Sequence, residues 1–226
     1  MSVWAVVAAA GSGSRFGGLK QFQDLGSRRV VDWAIAAARS VADGVVLTVP
    51  PGSPPRRSTS DEEVDAVVEG GATRSASVRA GLAAVPAHVE IVVVHDAARP
   101  LASPALFQAV VAAVRAGADG AVPGVALADT VKRVHDGVVV ATLDRAELVV
   151  VQTPQAFRAA LLRRAHATDG DATDDAALVE AVGGRVAVVA GEAANAKLTS
   201  PADLEVAEAR LSGARPTGAA GHADRS

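Results

Sequence analysis

Residues 3–22 read VWAVVAAAGSGSRFGGLKQF, and the change of character inside this stretch decides the fold. The apolar run Val3–Ala8 predicts a buried first strand. It empties into a glycine-rich loop with Gly11, Gly13, Gly17 and Gly18, and two cations, Arg15 and Lys20, sit in the same loop. Glycines let backbone N–H groups approach an anion closely, and a guanidinium and an ammonium add full charges. That is a holder for a polyphosphate. A plain strand-to-helix turn would have glycines too, but no use for the cations.

Two familiar phosphate loops are excluded. The dinucleotide pattern G-x-G-x-x-G has Phe16 at its third glycine position, and the Walker pattern fails because Gly18 is followed by Leu19-Lys20-Gln21. The lysines carry a further hint. Of 22 Lys plus Arg, only Lys20, Lys132 and Lys197 are lysine. In so arginine-rich a chain, a lysine marks a place for a compact ammonium where a planar fork would not serve.

Composition bounds the function. The 226 residues are 50% hydrophobic and 21% charged, with a formal charge of -3. This fits a globule with a sizeable core of small side chains and excludes a general nucleic-acid binder, which would carry a basic face. The chain has no cysteine, so thiolate metal sites and disulfides are out, and its five histidines show no ligand spacing. No apolar run reaches the length of a membrane span and no signal peptide is recognisable, so a cytoplasmic protein without a membrane partner is expected.

Strand-like runs at Val3–Ala8, Val45–Val49, Ile91–Val94, Gly120–Val122 and Arg185–Val189 alternate with helix-period segments at Val30–Ser40, Thr73–Val85, Pro104–Gly117, Phe157–Ala167 and Ala176–Val182. Short β-branched runs between helices predict an α/β fold with a mostly parallel sheet covered on both faces. The proline-rich Pro50–Ser60 reads as a loop. Leu127–Val151 departs from the alternation: its apolar runs turn at His135-Asp136-Gly137, a hairpin signal. A hairpin leaving such a body needs cover, and a second copy of the chain is the usual source. Residues 1–211 are expected to form one domain with its arm at about 127–151, and 212–226 a disordered tail.

Four further segments carry candidate chemistry. Gly70-Gly71-Ala72-Thr73-Arg74-Ser75-Ala76-Ser77 opens a helix and suits capping or anion contact. His95-Asp96-Ala97-Ala98-Arg99-Pro100 closes a strand, where ligands bind in open α/β sheets. Asp96 there could hold a metal's water, a ribose hydroxyl or a substrate hydroxyl. Asp129-Thr130-Val131-Lys132, Asp144-Arg145 and Gln152-Thr153-Pro154-Gln155 flank the hairpin and are compatible with an ordinary solvated one. Asn195-Ala196-Lys197-Leu198-Thr199 precedes a helix capped by Ser200 with Pro201 at its first position, and its lysine reads as lying on a strand end.

In this order, AAGSGSR…KQ, GGATRSASVRAGL, VHDAARP, DTVKR, QTPQAF, TDDA (Thr173–Ala176) and NAKLTSPADL resemble the 2-C-methyl-D-erythritol 4-phosphate cytidylyltransferase family from about Val3 to Leu211. The resemblance implies a three-layer, Rossmann-like nucleotidyltransferase fold, CTP as co-substrate, a divalent ion such as Mg²⁺, and a homodimer locked by a β-hairpin arm. It implies a triphosphate loop at Ala9, Ala10, Gly11, Ser12, Gly13, Arg15 and Lys20, and cytosine and ribose contacts at Gly71 and Ser77. Asp96 and Arg99 would lie on the polyol side, with Thr130, Arg145 and Thr153 of the arm, those of the arm acting in the neighbouring subunit's site. Lys197 would stand at the reaction centre. The chain departs from the family pattern at Leu19 and Ala8, where proline is common, at Ala72, where an acid is frequent, and in a loop about two residues shorter between Arg15 and Lys20.

The reaction so implied joins CMP to a polyol phosphate, releasing pyrophosphate. The nucleophile is already an anion, so the difficulty is electrostatic, and Arg15, Lys20, Arg145 and Lys197 would meet it. The rivals are a ribitol-5-phosphate cytidylyltransferase, a sugar-1-phosphate or molybdenum-cofactor nucleotidyltransferase, and a non-catalytic nucleotide-binding regulator.

Overall fold

A computed structural model describes residues 1–11, 13, 16–52, 64–167 and 170–213. Ser12 and Arg15 of the glycine loop, most of Pro50–Ser60 and residues 214–226 of the expected tail lie outside the described residues.

The first strand, β1 (Val3–Ala8), leads through the glycine loop and a single 3-10 turn at Lys20–Phe22 to a small ribbon, β2 (Asp24–Leu25) and β3 (Arg28–Arg29), and then α1 (Val30–Arg39). There follow β4 (Gly44–Val49), β5 (Ala66–Glu69), α2 (Arg74–Ala83), β6 (Ile91–Asp96), α3 (Pro104–Arg115) and β7 (Gly120–Ala126). Beyond them come β8 (Val131–His135), β9 (Val138–Leu143), β10 (Val149–Val151), β11 (Gln155–Arg158), α4 (Ala159–Ala165), α5 (Asp175–Ala181), β12 (Val186–Ala190) and α6 (Pro201–Leu211).

The main sheet runs β5-β4-β1-β6-β11-β7, with β12 on the other edge of β7 and β10 continuing the line of β11. β5, β4, β1 and β6 pair in parallel, as do β7 and β12, whereas β11 is antiparallel to both β6 and β7. Two cores form because side chains alternate across a strand. Val3, Ala5 and Val7 face α1 and α3, with Ile35 and Phe107, while Val6 faces α2, α4 and α5, with Leu82 and Leu162. These are the three expected layers.

The structure corrects three expectations. Phe157 does not open a helix. It lies fully buried in β11, paired with Val92 and Gly120, and the helix begins at Ala159. A short apolar run has no period that separates strand from helix, and here the sheet decides. Leu148–Val151 is not wholly part of the hairpin arm, because Val149–Val151 returns to the sheet beside β7. The hairpin itself is β8 and β9, joined through Asp136 and Gly137 at positive φ, as an Asp-Gly two-residue turn requires. Lys197 stands in an irregular segment after β12, not on a strand end.

Candidate active site

The carboxyl ends of β1, β4, β5 and β6 meet at one edge of the sheet, and the sequence-predicted segments leave from there. Gly70 passes so close to Ala10 that an added Cβ would overlap the Ala10 methyl and lie 2.7 Å from the Ser77 hydroxyl. This close approach joins the glycine loop to the start of α2. The Ser77 hydroxyl accepts from Gly71 N–H at 3.1 Å and donates to the Thr73 carbonyl at 2.9 Å. Gln21, which sequence reasoning gave no role, is the clasp of the loop. Its buried side chain donates to the carbonyls of Ala9 at 2.7 Å and Gly11 at 3.0 Å. Carbonyl and N–H point opposite ways across a trans peptide, so the Ala10 N–H is turned away from Gln21.

Asp96 ends β6 and lies between two cations. Lys197 Nζ donates to its Oδ2 at 2.6 Å and Arg74 Nε to its Oδ1 at 2.9 Å. Burial alone would raise the Asp96 carboxyl pKa. Arg74 and Lys197 outweigh it and hold the group well below the ordinary carboxylate range. Burial likewise works against the Arg74 charge, and Asp96 and Asp175 more than restore it. Arg74 stands inside a motif read as a helix cap, and its ion pairs join residues too distant in the chain for spacing to reveal.

Behind Asp96 the geometry fixes a tautomer. Thr153 Oγ1 accepts the Asp96 N–H at 3.0 Å and lies 3.2 Å from His95 Nδ1, while His95 Nε2 lies 3.2 Å from the Arg99 carbonyl. The carbonyl can only accept, so Nε2 carries the proton and Nδ1 accepts from Thr153. Thr153 therefore lies buried in the link between β10 and β11, against the end of β6, rather than on the arm. Burial pushes the His95 pKa down to about 4, against the pull of Asp96.

A pH dependence follows. An unfolded histidine takes its proton near pH 6.5, the folded His95 only near 4. Stability contributed by the neutral ring is complete above 6.5 and lost as pH falls toward 4, on the order of 3 kcal/mol in all. Asp96 is also held below its unfolded value, so it adds a further loss at still lower pH. The urea midpoint should therefore decline from about pH 6.5 to about 4, and less steeply in His95→Gln. A parent midpoint that stays level across that window would contradict the buried neutral ring.

The Lys197 segment is pinned from several sides. Gln152 donates to the Glu192 carbonyl at 2.8 Å and accepts from Glu192 N–H at 3.1 Å. Asn195 donates to the Thr153 carbonyl at 2.9 Å, and Arg99 Nη1 to the Asn195 carbonyl at 2.8 Å. Leu198 is buried in a satellite cluster with Leu25, Val30 and Ala207, an anchor worth about 1.5–3 kcal/mol. Lys20 Nζ donates to the Leu198 carbonyl at 2.6 Å, so two of the three lysines converge on one segment. Arg99 Nε is buried without a partner among the described residues, and burial lowers the Arg99 pKa.

The arm residues stand apart within one chain. Thr130 and Arg145 are exposed, and Arg145 donates to the Ala128 carbonyl on its own arm rather than to Asp96. Among the described residues there is no group of three or more His, Asp or Glu placed to hold a metal, and no helix long and apolar enough to cross a membrane.

Comparison with known proteins bears on all these segments at once. The family model for 2-C-methyl-D-erythritol 4-phosphate cytidylyltransferase matches residues 3–213. The Streptomyces coelicolor protein of that name is 46% identical, over 92% of this chain and 84% of its own length. A bifunctional enzyme IspD/IspF of Nitratidesulfovibrio vulgaris is 44% identical over 92% of this chain, which spans only 58% of that relative. The crystal structure of the Thermus thermophilus 2-C-methyl-D-erythritol 4-phosphate cytidylyltransferase superposes with a TM-score of 0.79 at 39% identity, covering 94% of this chain and 100% of the other. The matched region contains Ala10, Gly70, Asp96 and Lys197 together with the loops that hold them, and the chain belongs to the 2-C-methyl-D-erythritol 4-phosphate cytidylyltransferase family.

Proposed function

We propose that residues 1–211 transfer CMP from CTP to 2-C-methyl-D-erythritol 4-phosphate, releasing pyrophosphate, as a step of isoprenoid precursor synthesis. The observation that carries this reading is the convergence of Lys20 and Lys197 on the segment around Leu198, beside Asp96 and the Gly70–Ala10 contact. A phosphate oxygen of the polyol attacks the α-phosphorus of CTP. The new oxygen–phosphorus bond forms as the bond to the β-phosphate oxygen breaks, and pyrophosphate carries off the electron pair. No proton need move. What the protein supplies is position and positive charge.

We assign the triphosphate to the loop residues Ala9, Ala10, Gly11, Ser12 and Gly13, and to the cations Arg15 and Lys20 the neutralising of charge that grows on the leaving group. Gly71 and Ser77 border the nucleoside. Arg99, whose Nε has no partner among the described residues, and Lys197 face the polyol phosphate. Asp96 is bonded to Lys197 and shared with Arg74, which suits a divalent ion that arrives on the nucleotide's own phosphates rather than in a protein cage. Bound there, Mg²⁺ would neutralise triphosphate charge.

Thr130 and Arg145 complete the site of a second copy. The hairpin supports this: Val134, Val138, Val139 and Val140 are each more than half exposed, at 55%, 64%, 56% and 56%, and a two-stranded ribbon is marginal alone. The test of the function is pyrophosphate release from four nucleoside triphosphates crossed with methylerythritol phosphate, ribitol 5-phosphate and a sugar 1-phosphate. CTP with methylerythritol phosphate should exceed every other pair by about tenfold or more. Preference for ribitol 5-phosphate would move the protein to the rival acceptor, and release with none of them would remove the enzyme reading.

A further inference from the structure

Asp175, in the TDDA motif at the start of α5, lies outside the reaction as described, yet it is fully buried and touches the site through one intermediary. Arg74 Nη1 donates to its Oδ2 at 2.8 Å, and His166 Nε2 lies 2.9 Å from its Oδ1. Lys197, Asp96, Arg74 and Asp175 thus form a line of alternating charge from a partly exposed ammonium to a buried carboxylate.

We propose that Asp175 is a positioning residue, which holds the Arg74 guanidinium so that Arg74 takes one oxygen of Asp96 and leaves the other to Lys197. The argument is geometric. A guanidinium is a planar fork whose natural partner is both oxygens of one carboxylate. Here the fork is split: Nε serves Asp96, Nη1 serves Asp175, and Nη2 is buried with no partner among the described residues. With the charge of Asp175 gone, Arg74 turns to embrace both Asp96 oxygens, and Lys197 loses its seat. His166 backs the device. Its Nε2–H donates to Asp175, and its Nδ1 is buried with no partner among the described residues, so it holds one carboxylate oxygen and leaves the other to Arg74.

This rests on the proposed cytidylyl transfer, and the parent's own activity judges that reading first. The test is Asp175→Asn, close in volume, with Arg74→Lys, which keeps the charge but not the fork. Each should lower kcat by about 10- to 100-fold, the loss usual for an outer partner that orients a binding group, with KM for CTP within about twofold of the parent. The double variant should be no worse than the poorer single, since both break one chain of contacts. Parental kcat, losses that multiply, or activity lost only in proportion to the folded fraction would each overturn the proposal.

A second readout needs no turnover. With lysine carbon labelled, the chain gives three side-chain signals, and Lys197→Arg identifies one of them. The Lys197 signal should move in both variants, and that of Lys132, on the arm, should not. An unmoved Lys197 signal overturns the positioning role even if the protein proves to be a different enzyme.

Discussion

Replacing Lys20 by alanine should lower turnover by roughly 10²–10³, the scale of one lost electrostatic contact to a transition state. An ammonium has three donors and a charge felt in every direction. One donor holds the Leu198 carbonyl at 2.6 Å, and the same charge stands beside the loop assigned to the triphosphate. Lys20 therefore ties the glycine loop to the Lys197 segment, and on the proposed function it would also bring charge to the nucleotide. The fold should survive, because Leu198 is held independently by its N–H to the Ala98 carbonyl and by its burial. Turnover and urea midpoint measured on the same preparation separate the two roles. Near-parental turnover would take Lys20 out of the mechanism.

The second large effect is a recovery. Lys20→Ala and Arg145→Ala should each be nearly inactive alone, yet a fully exchanged equal mixture should regain about a quarter of parental activity, provided that Arg145 works across a dimer interface. In a mixed dimer one site carries both substitutions and the other neither, and half the dimers are mixed. The exposed hairpin valines and the bond from Arg145 to its own arm are what favour the crossed arrangement. Inactive mixtures with demonstrated subunit exchange would return Arg145 to its own subunit or remove it from the site.

What the sequence made legible was local. The change at Ala8 from strand to glycine loop, the Asp136-Gly137 turn and the Ser200 cap, whose side chain accepts from Asp203 N–H, are all decided by neighbours in the chain. The short strands β5, β10 and β11 escape such a reading because three or four residues carry no usable period and their pairing partners lie far away. The site divides in the same way. Asp96 and Lys197 are visible through their motifs, but Gln21 as the loop's clasp, Thr153 as the support of Asp96, and Arg74 between Asp96 and Asp175 exist only through contacts that folding creates.

The central claim is attack at the α-phosphorus of CTP by a polyol phosphate, and phosphorus NMR of the complete reaction tests it most directly. The three CTP signals should give way to the single line of pyrophosphate and to two mutually coupled lines of an unsymmetrical diphosphate diester, growing in equal amounts. Formation of CDP with orthophosphate, or with a newly phosphorylated polyol, would place the attack at the γ-phosphorus and contradict the account.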